Sequence, residues 1–367
     1  MPKRRPAKKR SPAVTVLLVG LCLLLLAVSR YLDSRSEPAA SVSAPEAAQA
    51  DASGLEVHFL DIGQGDSALL FCGDETLLID GGKVKNNQKL IARLKELEVD
   101  HLDAVICSHP DEDHCGGLSA VLASTRTDAF YCSVDSWHTK VFSDVTKYVE
   151  QQGISVTVPQ AGDSFAFGEA SVEFLGPVED YGDDPNEGSL VARVRYGETS
   201  FLFTGDMGFE AEDDMLAAGV DVSATVLKVA HHGSAGSSST EFLQAVHPQY
   251  AVISVGADND YGHPTEAALN RLSACGIPVY RTDLLGEIIA VSDGSTVTMT
   301  TASSEAPSAD AASQPTGSYG YVGNSSSKVV HLAGCGKLPG ESNRVYFASL
   351  DEALAAGYRK HANCLGN

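Results

Sequence analysis

The densest chemistry in this 367-residue chain lies in the hexapeptide His109-Pro110-Asp111-Glu112-Asp113-His114. Two imidazoles and two aspartates within six residues form a hard donor set that suits Zn²⁺ or Mn²⁺. Residues 104–108 (AVICS) before it have the composition of a buried strand, and Gly116-Gly117 opens a helix after it, so the donors stand at a strand end. A turn there can send His109 and Asp111 toward one ion and Asp113 and His114 toward another. The competing reading is an acidic turn ahead of a helix, where Asp commonly caps. Three further strand-end clusters weigh against it. Phe201-Leu-Phe-Thr-Gly-Asp206 offers a carboxylate able to bridge two ions, Lys228-Val-Ala-His231-His232-Gly-Ser234 offers two histidines, and Tyr261-Gly-His263-Pro264 offers one more. Each alone reads as a cap or a polar loop, but four in one domain point to a shared metal centre.

The elements that must position these donors alternate. Residues 55–60, 68–72, 77–80, 104–108, 171–175, 200–204, 224–229 and 250–255 are short, rich in strand formers, and bounded by Gly, Asp or Pro. Residues 87–98, 117–124, 143–152, 240–245 and 265–275 carry apolar side chains at helical spacing. Sheets with helices outside them give a layered α/β architecture. The order alone leaves an αββα sandwich and a doubly wound sheet both open.

Composition divides the chain further. The net charge is −22, and the six cations among the first ten residues leave about −28 for the remainder. An acidic body gives no general attraction to a polyanion, so positive charge at a site would have to come from bound metals. Residues 13–28 form an apolar run of sixteen behind the basic tip. At about 1.5 Å per residue this reads as a short membrane span or a signal segment, with everything after Arg30 outside. The expectation is a single-pass signal anchor over 1–30 with an extracellular catalytic domain, secreted if the anchor is cleaved. Ala/Ser/Pro/Glu-rich stretches at 31–54 and 301–318 read as a stalk and a linker. They bound a domain over 55–300 and a module over 319–367. The eight cysteines show no disulfide framework. Nothing marks a protein partner.

In the module, His331-x3-Cys335 and His361-x2-Cys364 place two thiols and two imidazoles where one closed tetrahedral Zn²⁺ would fit. A body this small gains folding free energy from such an ion. A Cys335–Cys364 disulfide is the rival in an exported chain.

Taken in order, His58-Phe-Leu-Asp61-Ile-Gly-Gln-Gly65-Asp66, Leu78-Ile-Asp80-Gly-Gly, the 108–117 segment, Asn186-Glu-Gly-Ser189, Thr204-Gly-Asp206, His231-His-Gly-Ser234 and Gly262-His-Pro264 resemble the metallo-beta-lactamase superfamily. They resemble in particular its branch of ComEC-type DNA-uptake proteins, over nearly all of 55–295. The resemblance implies an αββα sandwich with a dinuclear site at one edge. Asp111 stands where the superfamily's His-x-His-x-Asp-His motif has its second His. The superfamily's later His is absent here, and Asn186 or Ser189 stands near its position and would contact substrate. Carried over, His109 and Asp111 hold one ion, Asp113 and His114 the other, and Asp206 bridges. His232 or His263 completes the second site, with His232 preferred and His231 and His263 beside the substrate. Asp61, Asp66 and Asp80 orient ligands or form turns. The text around His331 and Cys364 is similar to the metal-binding subdomain of Ada DNA-repair proteins, which implies structural zinc and a DNA-related context.

Such a pair of ions would ionise a water held near Asp206 and neutralise a phosphoryl oxygen, while His231 or His263 protonates the leaving oxygen. Ser234 would bind a phosphate oxygen or support its loop. The expected function is a phosphodiesterase or nuclease acting on extracellular DNA. The alternatives are the same fold hydrolysing a phosphocholine ester, a lactone or a β-lactam, and a binding protein with a degenerate metal site.

Overall fold

The structure, a computed structural model, describes residues 54–257, 259–301, 321–332, 337–340, 343–347, 350–361 and 364. Strand side chains alternate between two buried faces, which sets the layers. In β2 (Ala68–Cys72), β3 (Glu75–Ile79) and β4 (His101–Cys107), Leu70, Leu77 and Ile106 point to one side, and Leu69, Leu78 and Val105 to the other. A strand buried on both faces needs a layer on each side.

These strands belong to an eight-stranded sheet completed by β1 (Leu55–Phe59), β5 (Arg126–Cys132), β6 (Val156–Thr157), β14 (Ile288–Ser292) and β15 (Val297–Thr301), in the order β15-β14-β1-β2-β3-β4-β5-β6. A seven-stranded sheet contains β7 (Ser164–Phe167), β8 (Ala170–Gly176), β9 (Val191–Tyr196), β10 (Thr199–Phe203), β11 (Val226–Lys228), β12 (Tyr250–Ile253) and β13 (Val279–Arg281), ordered β13-β12-β11-β10-β9-β8-β7. Val57, Leu70 and Ile106 of the first sheet meet Val172, Val194 and Phe201 of the second in the central core.

Helices close both outer faces. Leu90 and Leu94 of α1 (Asn87–Glu96), Val121 of α3 (Leu118–Ser124) and Val145 of α4 (Lys140–Gln151) pack on Leu69, Leu78 and Val105. Between α1 and α3 lies the single turn α2 (Glu112–Cys115). On the second sheet, Met215 of α5 (Phe209–Ala217), Phe242 of α6 (Thr240–Val246) and Leu272 of α7 (Glu266–Ala274) cover Leu202, Leu227 and Ile253. A last turn, α8 (Thr282–Leu285), follows β13. The result is the αββα sandwich.

β3 to β6 run parallel to one another, as do β10 to β13. Parallel strands deliver their carboxyl ends to one side, so the loops after β4, β10, β11 and β12 can share a site. A separate four-stranded sheet, β18 (Arg344–Phe347), β16 (Tyr321–Asn324), β17 (Val329–Leu332) and β19 (Arg359–Lys360), carries α9 (Leu350–Ala355) and a small core of Val330, Val345, Phe347 and Tyr358.

One expectation changes. Among the described residues no helix is long and apolar enough to cross a membrane, which corrects the placement as a single-pass membrane protein with an extracellular domain. The apolar run 13–28 lies outside the described residues, as do all but the last residue of the stalk and most of the linker. Cysteines 72, 107, 115, 132 and 275 are free thiols, and Cys22 and Cys335 lie outside the described residues.

Candidate metal centre

The segment after β4 is laced to its neighbours by backbone. Asp66 N–H donates to Asp113 O at 3.0 Å, Gly81 N–H to His114 O at 2.7 Å, and Gly117 N–H to Gly82 O at 2.8 Å. Such approach leaves no room for side chains: a Cβ on Gly117 would lie 2.0 Å from Gly81 O, and one on Gly65 would lie 2.3 Å from Asp113 O. Asp111 occupies the N-cap position of α2 but makes no side-chain cap bond, so its carboxylate is free for the cleft. The acidic-cap reading therefore fails for Asp111.

Three imidazoles present the same nitrogen. His232 Nδ1–H donates to Ser254 O at 2.9 Å, an acceptor that fixes the proton on Nδ1. His114 Nδ1 lies 2.9 Å from Asp80 Oδ2. Ser108 Oγ donates to the same oxygen at 2.8 Å and accepts from His109 Nδ1 at 3.0 Å. The Nε2 atoms of His109, His114 and His232 are all buried without a hydrogen-bond partner, and Oδ1 of Asp206 shares that condition. They converge: His114 Nε2 lies 3.0 Å from Asp206 Oδ1, and His232 Nε2 lies 3.5 Å from Asp206 Oδ2 and 3.7 Å from Asp113 Oδ2. His109 Nε2 is 3.9 Å from Asp111 Oδ2. Imidazole nitrogens facing carboxylates in this way form a donor set for divalent ions once the imidazoles give up their protons to the metal's charge.

His231 and His232 both have positive φ (50° and 53°), and Gly233 follows at 81°. Left-handed backbone at two non-glycine residues stores strain where the donors are aimed. His231 Nε2 reaches to 3.6 Å from Asp206 Oδ2 and remains a third exposed.

The charges are mutually dependent. Burial works against ionising Asp206, but His114 and His232 hold its carboxyl well below the usual range. Burial likewise opposes charge on His114, but Asp206 and Asp80 raise it; for His232, Asp206 and Asp66 do the same. Burial pushes His109 well below an ordinary histidine, and nearby His114 adds to that. The carboxylates thus draw positive charge to the Nε2 side. His263, lowered to about 4 by burial and by His232 and His231, is neutral near pH 7.

The structure brings most of the sequence-derived residues together. Asp111, Asp113, Asn186, Asp206, His231, His232 and His263 line one open cleft of about 480 Å³ with Gln64 and Tyr261. Between His232 and His263, the distances to Asp113 and Asp206 favour His232. Asp66 and Asp80 sit behind the imidazoles, as orienting groups should: Asp66 Oδ1 is 3.1 Å from His232 Nδ1. Asp61 is a turn residue that pairs with Lys89 at 2.9 Å and accepts from Gly63 N–H. One expectation needs correction. Ser189 is fully buried behind His109, where its Oγ accepts from Asp206 N–H, so it positions the site rather than touching substrate. Ser234 Oγ accepts from Gly236 N–H and supports its loop. Sequence reasoning gave no role to Ser108 or to Lys228, whose buried ammonium lies 2.5 Å from Asp66 Oδ2. Their only signal was their place inside the motifs.

The profile of the metallo-beta-lactamase superfamily matches residues 60–257. The chain belongs to that superfamily. The chain is 35% identical over 230 residues to competence protein ComA of Neisseria gonorrhoeae, covering 62% of this chain and 31% of that protein. It is 30% identical over 251 residues to ComE operon protein 3 of Bacillus subtilis, covering 64% and 32% respectively. The chain thus spans about a third of these relatives, and its affinity is with the ComEC-like competence branch. Among solved structures, the metallo-beta-lactamase fold protein YhfI from Bacillus subtilis superposes with a TM-score of 0.46 at 15% identity, covering 65% of this chain and 99% of that one.

In the small module, the His331 and His361 rings lie 4.0 Å apart between centroids, and His361 Nδ1 is 3.2 Å from Cys364 Sγ. His331 Nδ1 is buried without a hydrogen-bond partner. The fourth expected donor, Cys335, lies outside the described residues.

Proposed function

We propose that this metallo-beta-lactamase-fold hydrolase cleaves phosphodiester bonds in DNA with two divalent ions. The observation that carries the hydrolytic part is the convergence of the Nδ1-anchored imidazoles of His114 and His232 on Asp206, with His109 facing Asp111, at an open cleft. His109 and Asp111 would hold one ion, Asp113, His114 and His232 the other, and Asp206 would lie between them. Carboxylate and imidazole donors suit Zn²⁺ or Mn²⁺. Bound there, the ions supply an ionised water near neutral pH and positive charge for a developing phosphoryl oxyanion.

The chain's own residues do the rest. Ser108, Asp80 and Asp66 fix the imidazole tautomers, and Ser189 holds both Asp206 and His109. His231, a third exposed and beside Asp206, delivers the proton to the leaving oxygen. His263, neutral near pH 7, orients rather than donates. Asn186, whose buried Oδ1 has no partner, meets the substrate or an ion at the cleft wall. The choice of DNA is supported by relatives named for competence and recombination. His331, His361 and Cys364 support a structural Zn²⁺ in the small module, with Cys335 as the fourth ligand.

The test is cleavage of single-stranded and plasmid DNA by the full-length protein with Mn²⁺ or Zn²⁺. Asp113→Ala and Asp206→Ala should each lose at least about a hundredfold in rate. Hydrolysis of a lactone, a β-lactam or a phosphocholine ester with no DNA cleavage under either metal would move the site to another substrate.

A further inference from the structure

The lip of the cleft carries a residue pair that hydrolysis leaves without a task. Tyr261, on the loop after β12, is 59% exposed although it lines the same cleft as Asp113 and Asp206. Its ring is within 25° of parallel to that of His263, with centroids 5.8 Å apart. Its hydroxyl meets Lys83 Nζ at 3.1 Å, and that ammonium sits 4.9 Å from the ring centroid. Lys83 Nζ also lies 3.8 Å from Asp113 Oδ2. Lys83 comes from the segment after β3 in one sheet and Tyr261 from the other sheet, so the pair spans the mouth.

A large aromatic ring left in water at a reaction cleft offers a flat stacking surface that every nucleobase can use. A net charge of −22 gives phosphates no general attraction to this chain. A cation within 4 Å of a cleft carboxylate is therefore the place where a phosphate next to the reacting one can be held. Lys85 stands exposed on the 3-10 turn Val84–Asn86 that Lys83 precedes, and adds a second cation to this segment.

We propose that Tyr261 and Lys83 form a nucleotide clamp, the ring stacking on an unpaired base beside the scissile phosphodiester and the ammonium taking the neighbouring phosphate. The clamp rests on the phosphodiesterase reading and narrows its substrate to a single strand or a frayed end. A paired base has both faces occupied and cannot enter it. On binding, the Lys83–Tyr261 contact gives way to a contact between Lys83 and phosphate.

The test compares three substrates with the full-length protein and Mn²⁺: a single-stranded oligonucleotide, the same strand built of abasic units, and a closed circular duplex. The wild type should prefer the intact strand over the abasic one by about tenfold in kcat/KM. Tyr261→Ala should bring that ratio near one, and Tyr261→Trp should keep it. Lys83→Gln should raise KM and flatten its salt dependence. Equal loss on intact and abasic strands in Tyr261→Ala overturns the clamp, and so does a closed duplex cut as fast as the single strand. If the wild type cleaves none of the three, the phosphodiesterase reading fails and takes the clamp with it, so the two failures are told apart.

Discussion

Ser108 has no chemistry of its own in hydrolysis, yet it touches Asp80, His109 and His114 at once. Its hydroxyl donates to Asp80, which leaves its lone pairs to accept from an imidazole. That arrangement decides which nitrogen of His109 faces the cleft. Ser108→Ala should therefore weaken divalent-ion affinity by about ten- to a hundredfold while the fold persists. Titration of Mn²⁺ or Zn²⁺ against a competing chelator measures this without reference to activity. Unchanged affinity would mean that Asp80 alone fixes the imidazoles.

The loop that carries His231 and His232 is held by groups far along the chain. The buried Arg271 guanidinium on α7 donates to Ser237 O at 2.6 Å, Ser238 O at 2.8 Å and Ala235 O at 3.1 Å. Glu212 on α5 accepts from Ser238 N–H and from Ser239 N–H, the latter at 2.7 Å. Removing one member of such a buried polar set strands the others, so Arg271→Ala should cost about 3–5 kcal/mol in denaturant unfolding. A loss under about 1 kcal/mol would show that water replaces the guanidinium. These elements also mark where the sequence was legible. Strands with alternating apolar faces, such as β2, and helices with an apolar stripe, such as α1, sat within a residue or two of their expected bounds. The donors at strand ends were legible because hard ligands cluster there by type. β9 escaped because Arg193 is buried within it, paired with Glu173 and Asp221, and so breaks the apolar pattern. α5 escaped because its sequence, FEAEDDMLA, buries a glutamate and shows only a faint stripe. No pattern in the chain could show that Ser189 would turn inward, because its orientation depends on contacts with residues 80 positions earlier and 17 later.

Across the whole molecule, one ion-pair network joins the first sheet to its outer helix. His58 on β1 contacts Glu287 at 2.6 Å and Glu56 at 2.7 Å, and Arg93 on α1 pairs with Glu287 at 2.7 Å. Burial disfavours the His58 charge, but both carboxylates outweigh it and raise its pKa. Burial opposes ionising Glu287 as well, but His58 and Arg93 lower its pKa. The His58 contribution is thus complete below the unfolded value of about 6.5 and fades as pH rises through the raised folded value. The Glu287 contribution is complete above about 4.3 and fades as pH falls through its depressed value. The gap in melting temperature between wild type and His58→Gln should be widest near pH 5.5 and shrink toward pH 9. A gap independent of pH would refute the pairing.

The free thiols behind the metal cleft have a practical consequence. Cys107 donates to His109 O and Cys115 to Pro110 O, both at 3.1 Å, and burial pushes both thiols upward, away from the reactive anion. Alkylating reagents meet these sulfurs only when the layer beneath the ligand loop comes apart. Their labelling rate in the otherwise native protein is accordingly a clock for breathing of the very segment that carries the donors.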